Sequence, residues 1–265
     1  MKKVLVVVAT LLALACLAYV LSFYLPVPAR RVKYAVGGKR VLVSHEFYQG
    51  IAYYGGYWYF SGREYLAKVA ELGSRSLSAE NRTPIPYDLV LAGYNHIGDI
   101  DVENGLVYAP LEDVKYEKPL VAVYDAETLD FLYTIGPLPQ SHMPWCAVDP
   151  QRGLIYTSEF DNVDRVLVYD MKGNKVREIL LNTTLQRVQG GDLENGYLYL
   201  TTDDGGDWIY VVDLSTGGVR RLARVDTPYE MEGVEVVGNK LYALVGTPFP
   251  LKNIVFIYTL VRGPP

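Results

Sequence analysis

A single phrase recurs five times in this chain of 265 residues, and it constrains the fold more than any other feature. Each copy starts at a small residue or glycine, alternates apolar and polar positions, turns, and ends in an apolar residue followed by tyrosine. Period-two alternation between Gly, Asn and Asp turns is typical of strands and hairpins. The spacing predicts repeats of about 45 residues. The closing tyrosines are Tyr59, Tyr108, Tyr156, Tyr199 and Tyr242, at separations of 49, 48, 43 and 43 residues.

The repeats have room for four strands each, which is the size of a propeller blade. Three copies continue into a second strand-like phrase that ends in aspartate, at residues 121–125, 166–170 and 209–213. The sequence therefore predicts an all-β, five-bladed β-propeller. The last copy is one strand short, and residues 32–44 are strand-like, so we expect this N-terminal strand to complete the last blade and close the ring. Residues 73–86 form a polar segment where the outer strand of the first blade should lie.

The N-terminal segment is apolar enough to cross a membrane. Residues 4–25 carry no charge, follow Lys2 and Lys3, and end at Pro26. As a helix these 22 residues would span roughly 33 Å, the thickness of the hydrocarbon core. We predict a signal-anchor transmembrane helix in residues 1–28 and a propeller domain in residues 29–265, attached to the membrane through residues 4–25 and outside the cytoplasm. Cleavage after the small residues near Ala15 would instead give a secreted protein.

Composition removes several classes of function. The chain has 30 Asp and Glu against 25 Lys and Arg, a net charge of −5, so nucleic acid is not an expected partner. Its two cysteines, Cys16 and Cys146, cannot form a disulfide framework. The Gly-x-Ser-x-Gly, phosphate-loop and His-Glu-x-x-His motifs are absent from the sequence.

Several phrases resemble known propeller families. The repeated "x-Gly-x-x, Leu-Tyr, Val-Tyr-Asp" pattern is similar to repeats of the YVTN and gluconolactonase-like kind. Segments 95–101 and 142–148 resemble a group of uncharacterised exported propeller proteins. Segment 47–51 (Phe-Tyr-Gln-Gly-Ile) resembles the opening phrase of plant-type glutaminyl cyclases, a resemblance that implies a five-bladed propeller. The chain has Phe60-Ser61-Gly62 where that family places an acidic residue, and it lacks the family's Glu-Gly-Trp-Gly phrase.

Polar side chains recur at the positions where each blade's innermost strand begins. In a propeller these entering loops open at the same end of the ring as the loops after the second strands, and we call this end the mouth. A concave place with convergent polar groups is where ligands bind. The candidate ligand-binding residues are Gln49, His96, Asp99, His142, Trp145, Gln189 and Glu232.

Two kinds of function fit such a mouth. We expect a module that binds a small molecule, a glycan or an envelope protein without catalysis. The alternative is a metal-dependent hydrolase or lactonase, or a glutaminyl cyclase-like enzyme, with its site in the same funnel. An enzyme of the first kind needs several oxygen or nitrogen ligands on one divalent metal such as calcium. The candidate metal ligands are His96, Asp161, Asp203 and Glu232.

Overall fold

The computed structural model describes residues 35–261, together with Thr10 and Leu14. Residues 35–261 form five antiparallel sheets. The first blade contains β2 (Gly50–Tyr54), β3 (Tyr57–Gly62), β4 (Tyr65–Val69) and β5 (Ala79–Asn81). The second contains β6 (Tyr94–Ile97), β7 (Asp101–Glu103), β8 (Leu106–Asp113), β9 (Leu120–Asp125) and β10 (Phe131–Ile135). The third contains β11 (Ala147–Asp149), β12 (Leu154–Thr157), β13 (Val163–Asp170) and β14 (Lys175–Leu185). The fourth contains β15 (Val188–Glu194), β16 (Tyr197–Thr202), β17 (Trp208–Asp213) and β18 (Gly218–Arg224).

The fifth blade joins the two ends of the described chain. It contains β19 (Met231–Val237), β20 (Lys240–Val245), β21 (Asn253–Leu260) and, outermost, β1 (Ala35–Val43). Strand β1 pairs with β21 from Ala35 opposite Leu260 to Val43 opposite Asn253. The prediction that the N-terminal strand closes the ring is confirmed, as is the five-bladed propeller.

The hydrophobic core lies between the blades rather than at the ring axis. Buried side chains form five clusters, each shared by two neighbouring blades. Trp58 of the first blade, for example, packs edge-on against Tyr242 of the fifth, with ring centroids 4.5 Å apart. All five repeated tyrosines are buried. The Tyr59 hydroxyl donates to the carbonyl of Ala126 in the second blade, 3.0 Å away. The repeat therefore encodes contacts between blades.

The aspartates of the second phrase cap turns. Oδ1 of Asp125 accepts from the N–H groups of Glu127 and Thr128 at 2.8 and 2.9 Å. Asp170 and Asp213 accept in the same way from the residues that follow them. These hydrogen bonds hold the pKa of Asp125 below its usual value. Asx turns of this kind end a strand without further tertiary contacts.

The first blade departs from the repeat at its outer edge. Within residues 73–86, β5 is only three residues long. A short helix, α1 (Tyr87–Leu91), follows and exposes Tyr87 and Leu91. The polar segment predicted for this region therefore contains a minimal outer strand.

Among the described residues, no helix is long and apolar enough to span a membrane. Apart from Thr10 and Leu14, the predicted span at residues 4–25 and the predicted boundary at residue 28 lie outside the described residues.

Candidate functional site

Asp99 fills the ring axis beneath the mouth. Its fully buried carboxylate accepts backbone N–H groups from three other blades, those of Ile51, Gly191 and Val234, at 3.0, 3.0 and 3.2 Å. Its own N–H donates to the carbonyl of Pro144, which leads into the third blade, at 2.8 Å. Burial outweighs these hydrogen bonds and raises the pKa of Asp99 well above its usual range. Asp99, a candidate ligand-binding residue, therefore connects the blades.

The repeated glycines allow this close approach. A Cβ atom at Gly190 would lie 2.6 Å from Oδ2 of Asp99, and one at Gly233 would lie 2.6 Å from Oδ1. At Gly50 it would lie 2.8 Å from the Cα of Asp99. No side chain fits at these distances. The glycines of the first, fourth and fifth repeats therefore bring their innermost strands up to the central carboxylate, which forms the floor of the mouth.

A buried glutamate in the second blade faces two imidazoles. Glu112 is fully buried, and its Oε1 accepts the N–H of Met143 at 2.5 Å. Its Oε2 lies 3.1 Å from Nδ1 of His96 and 3.5 Å from Nε2 of His142. Both separations suit ion pairs, but neither contact is aligned as a hydrogen bond, so Oε2 and Nδ1 have no hydrogen-bond partner within the described residues. Nε2 of His96 contacts Oε1 of Gln49 in the first blade.

Aromatic rings flank the second imidazole. His142 lies between Tyr116 and Phe160, with ring centroids 4.3 and 4.6 Å away. Burial lowers the pKa of His142 although Glu112 opposes the shift, which favours the neutral imidazole. Asp113 holds the loop that carries Tyr116, since its carboxylate accepts three backbone N–H groups within residues 115–118.

Arg187 connects the third, fourth and fifth blades at the mouth. Its guanidinium contacts Asp203 and lies 3.2 Å from Oε1 of Glu230. It also lies over the Phe160 ring, 5.5 Å from the centroid. Its backbone N–H donates to Asp161 at 3.2 Å. Asp161 and Asp203, both predicted metal ligands, thus contact the same arginine.

Glu232 is the buried carboxylate of the mouth without a partner. Only 7% of the residue is exposed, and its carboxylate oxygens keep contact with solvent, but within the described residues they accept no hydrogen bond and form no ion pair. Burial, with repulsion from Glu230 and Asp203, raises its pKa well above the usual range, and Arg187 opposes the shift. Gln189 occupies the equivalent position in the fourth blade and is half-buried. Both side chains are free to meet a ligand.

Trp145 lies inside the protein. It is fully buried, and its Nε1 donates to Oγ of Ser158 at 3.0 Å. Its ring packs against Gly191 of the fourth blade, where a Cβ atom would lie 2.3 Å from Cε3. Trp145 therefore packs between blades and does not line the mouth.

The predicted metal ligands do not converge. No group of three His, Cys, Asp or Glu side chains within the described part of the chain is placed to hold a metal ion. His96 contacts Glu112 and Gln49, whereas Asp161 and Asp203 contact Arg187. The structure brings together Gln49, His96 and His142 from the sequence candidates. It adds Glu112, Tyr116, Phe160 and Arg187, which the repeat did not single out.

Comparisons with known proteins show the fold alone. No family model matches the chain, and no curated protein matches it. Among solved structures, a glutaminyl cyclase from Myxococcus xanthus superposes with a TM-score of 0.63 at 13% identity, covering 86% of this chain and 97% of that one. A luciferin-regenerating enzyme matches with a TM-score of 0.52 at 12% identity, covering 85% and 78%.

A chain of the nidogen–laminin complex matches with a TM-score of 0.51 at 12% identity, covering 76% of both chains. The resemblance to YVTN and gluconolactonase-like repeats gains no support from a family model. The neighbours include two enzymes and a chain of a nidogen–laminin complex, so the shared fold leaves the activity open. The chain is an all-β, five-bladed propeller with a polar mouth.

Proposed function

We propose that the mouth binds a small molecule or peptide end that carries a protonated amine. The observation that carries this proposal is Glu232, a buried carboxylate with no donor of its own among the described residues. A buried carboxylate is stable when a cation or several donors face it. An ammonium group supplies one charge and three N–H donors in a small volume.

The surroundings of Glu232 favour a cationic ligand over an anionic one. Glu230 and Asp203 raise its pKa by repulsion, and both already contact Arg187. An arriving ammonium would relieve this repulsion, whereas an anion would add to it. Phe160 lies beneath the Arg187 guanidinium, 5.5 Å from its ring centroid, and offers apolar surface beside it for the rest of the ligand.

The pH dependence follows from the raised pKa of Glu232. Below that pKa the empty site holds a neutral carboxyl group, which attracts ammonium weakly. Affinity therefore increases as pH rises and Glu232 loses its proton, and it decreases again once the ligand amine loses its own. We expect a bell-shaped pH profile whose lower limb disappears in Glu232→Gln.

Titration calorimetry with the peptide Gln-Ala-Ala tests the proposal. The free peptide should bind at least tenfold more tightly than its N-acetylated form, because a hydrogen bond to a charged group contributes about 1.5–3 kcal/mol. Glu232→Gln should weaken binding about tenfold or more. Glu178→Gln is the matched control, since this carboxylate is exposed, lies on the outer strand β14 of the third blade and is already paired with Arg165 and Lys175. Equal affinity for the acetylated peptide would refute the proposal.

A second candidate function is a glutaminyl cyclase-like reaction at the same site. Two observations favour it: Gln49, from the phrase that resembles plant-type cyclases, contacts the His96 imidazole, and a solved glutaminyl cyclase shares the fold. In this reaction the α-amine of an N-terminal glutamine attacks its side-chain amide carbon and ammonia leaves. Glu232 would accept one proton of the ammonium, which frees the nitrogen to attack, and would return it to the leaving nitrogen, which departs as ammonia. The second proton that the ring nitrogen loses would pass to water.

The same peptide distinguishes binding from catalysis. Mass spectrometry after incubation would show loss of ammonia if the chain is a cyclase, and an unchanged mass with measurable affinity if the mouth only binds. Glu232→Gln should abolish turnover, while Glu178→Gln, on the outer strand of the third blade, should retain it.

We also propose that residues 4–25 anchor the propeller to a membrane with the ring outside the cytoplasm. The support is the uncharged run itself, which has the length of a membrane span. Fractionation with a carbonate wash, followed by protease treatment of intact cells, tests both parts. Release into the wash would contradict the anchor, and protection from external protease would contradict the orientation.

A further inference from the structure

We propose that the end of the ring axis opposite the mouth binds a small organic cation with two ammonium groups. The innermost strands run from the mouth to this end, where each turns into the second strand of its blade. Carboxylates from the second, third, fourth and fifth blades lie toward the ends of these strands. We call them the acidic channel: Asp101, Glu103, Asp149, Asp192, Glu194 and Glu235.

Three of these carboxylates lie on one level of the ring. In the strand register each is paired with the repeated tyrosine of its own blade, which places Asp101, Asp192 and Glu235 at equivalent positions. Glu103 and Glu194 follow two residues later on the same strands as the two aspartates, one level further from the mouth. Strand residues rise about 3.3 Å each, so the two levels are about 6.6 Å apart.

The carboxylates of the acidic channel are close enough to repel one another. Burial and then repulsion from Asp192 and Asp101 raise the pKa of Glu235 well above its usual range. Burial and repulsion from Glu194 raise the pKa of Glu103. The two levels also act on each other, since Glu103 repels both Asp101 and Glu235. An arriving cation would relieve this repulsion.

Three members of the acidic channel are held in place by other groups. Oδ2 of Asp101 accepts a backbone N–H from the third blade at 2.6 Å. Oδ2 of Asp192 accepts one from the fifth blade at 2.8 Å. Asp149, on the second level, forms an ion pair with Arg152 at 2.6 Å. These contacts fix the geometry of the acidic channel before any ligand enters.

Glu235 is a buried member of the acidic channel that has no partner. The residue is 9% exposed, and its carboxylate oxygens keep contact with solvent, but within the described residues they accept no hydrogen bond and form no ion pair. Glu103 is half-buried and is likewise unpaired within that part of the chain. A buried carboxylate is stable when a cation or several donors face it. Open carboxylates on both levels therefore point to a cationic ligand.

The arrangement favours an elongated organic cation over a bare metal ion. Within the described ranges of the chain, no three of these side chains converge to hold a metal ion. An ammonium group brings one charge and three N–H donors, which can bridge carboxylates of neighbouring blades. Two ammonium groups on a short alkyl chain, as in 1,4-diaminobutane, would meet one level each. A monoamine would neutralise one level and leave the other unpaired.

Calorimetric titration of full-length Glu232→Gln with 1,4-diaminobutane tests this assignment. The substitution removes the carboxylate that we propose binds amines at the mouth, so that failure at the mouth and failure at the acidic channel are separate results. 1,4-Diaminobutane should bind at least tenfold more tightly than butylamine, which has the same carbon chain and one ammonium group. Glu235→Gln and Glu103→Gln, each added to this background, should weaken binding about tenfold, as expected for a lost charged hydrogen bond.

The matched control is Glu178→Gln, which removes a carboxylate from the outer strand of the third blade. Butylamine binding as tight as that of 1,4-diaminobutane would overturn the proposal, as would equal effects of Glu235→Gln and Glu178→Gln. Calcium that binds more tightly than the diamine and is lost in Glu235→Gln would overturn it in favour of a metal site. Thermal melts of Glu235→Gln and Glu103→Gln should match the parent, since neither carboxylate is paired within the described residues.

Proton release supplies an independent readout. Burial keeps protons on part of the acidic channel near neutral pH, and a bound diammonium would displace them. The binding enthalpy should therefore differ between Tris and phosphate buffers, which take up protons with different heats. Equal enthalpies in the two buffers would place the ligand outside the acidic channel and overturn the proposal.

Discussion

Replacing Asp99 with asparagine tests whether one side chain holds the ring together. Asp99 accepts Gly191 and Val234 on Oδ2 and Ile51 on Oδ1. An asparagine can keep its carbonyl oxygen at the Oδ2 position, but its amide group then faces the N–H of Ile51. One buried N–H loses its acceptor, which costs about 1–3 kcal/mol. Asp99→Ala leaves all three without one, a cost of about 3–9 kcal/mol against a usual total stability of about 5–15 kcal/mol.

Urea unfolding followed by tryptophan fluorescence measures this loss. With a slope of about 3 kcal/mol per molar urea, Asp99→Asn should lower the midpoint by about 0.3–1 M, and Asp99→Ala should lower it further or prevent folding. The matched control is Asp125→Asn, because Asp125 accepts two backbone N–H groups on a single oxygen, which asparagine retains. A midpoint for Asp99→Asn equal to that of the control would refute the role assigned to Asp99.

Three further predictions concern packing, closure and pH. Gly191→Ala should lower the free energy of unfolding by about 1–3 kcal/mol through overpacking, because the new Cβ would lie 2.3 Å from the Trp145 ring. An unchanged urea midpoint would show that the ring can move aside. Asn253→Ala should speed amide hydrogen exchange in β1 and leave the exchange rates in β8 unchanged. The reason is that the Asn253 amide donates to the carbonyls of Ser44 and Phe47 at 3.1 and 3.0 Å. An equal change of the exchange rates in β1 and β8 would contradict this. Burial raises the pKa of Asp101 to about 7, so its stabilising contribution is complete below its unfolded pKa of about 4 and is lost as pH rises through 7. The full pKa shift of Asp101 corresponds to about 4 kcal/mol of unfolding free energy. Because the residue keeps partial solvent contact, we expect a change in stability of about 2 kcal/mol. Asp101→Asn should therefore reduce the difference in unfolding free energy between pH 5 and pH 8. If the difference stays the same, other carboxylates cause the pH dependence.

The repeat predicted the architecture because it encodes contacts that every blade must make. The tyrosines that close each copy are buried, and the glycines that open the first, fourth and fifth copies pack around Asp99. The missing strand of the last copy pointed to the N-terminal segment, which does pair with β21. These features are periodic, so a single sequence reveals them.

The chemistry of the mouth was harder to predict because its side chains do not repeat. His96 and Asp99 are three residues apart, but Asp99 lies on the axis and His96 faces Glu112. Arg187 lies directly before β15, and nothing in the repeat indicates that it pairs with acids from two blades. The sequence predicts that these residues lie at the same end of the ring. The distances between their side chains depend on the conformations of individual loops, which the repeat does not encode.

The ring is closed by the pairing of β1 with β21, which we call the seam, and the two ends of this seam are held by different numbers of hydrogen bonds. At the mouth, the seam between β1 and β21 finishes at Asn253, whose buried side chain binds the carbonyls of Ser44, His45 and Phe47. At the opposite end, Ala35 faces Leu260 through strand pairing. Local unfolding starts where the fewest interactions must break. We therefore expect the seam to fray from Ala35 toward Val43, so that a partly opened ring keeps its mouth assembled.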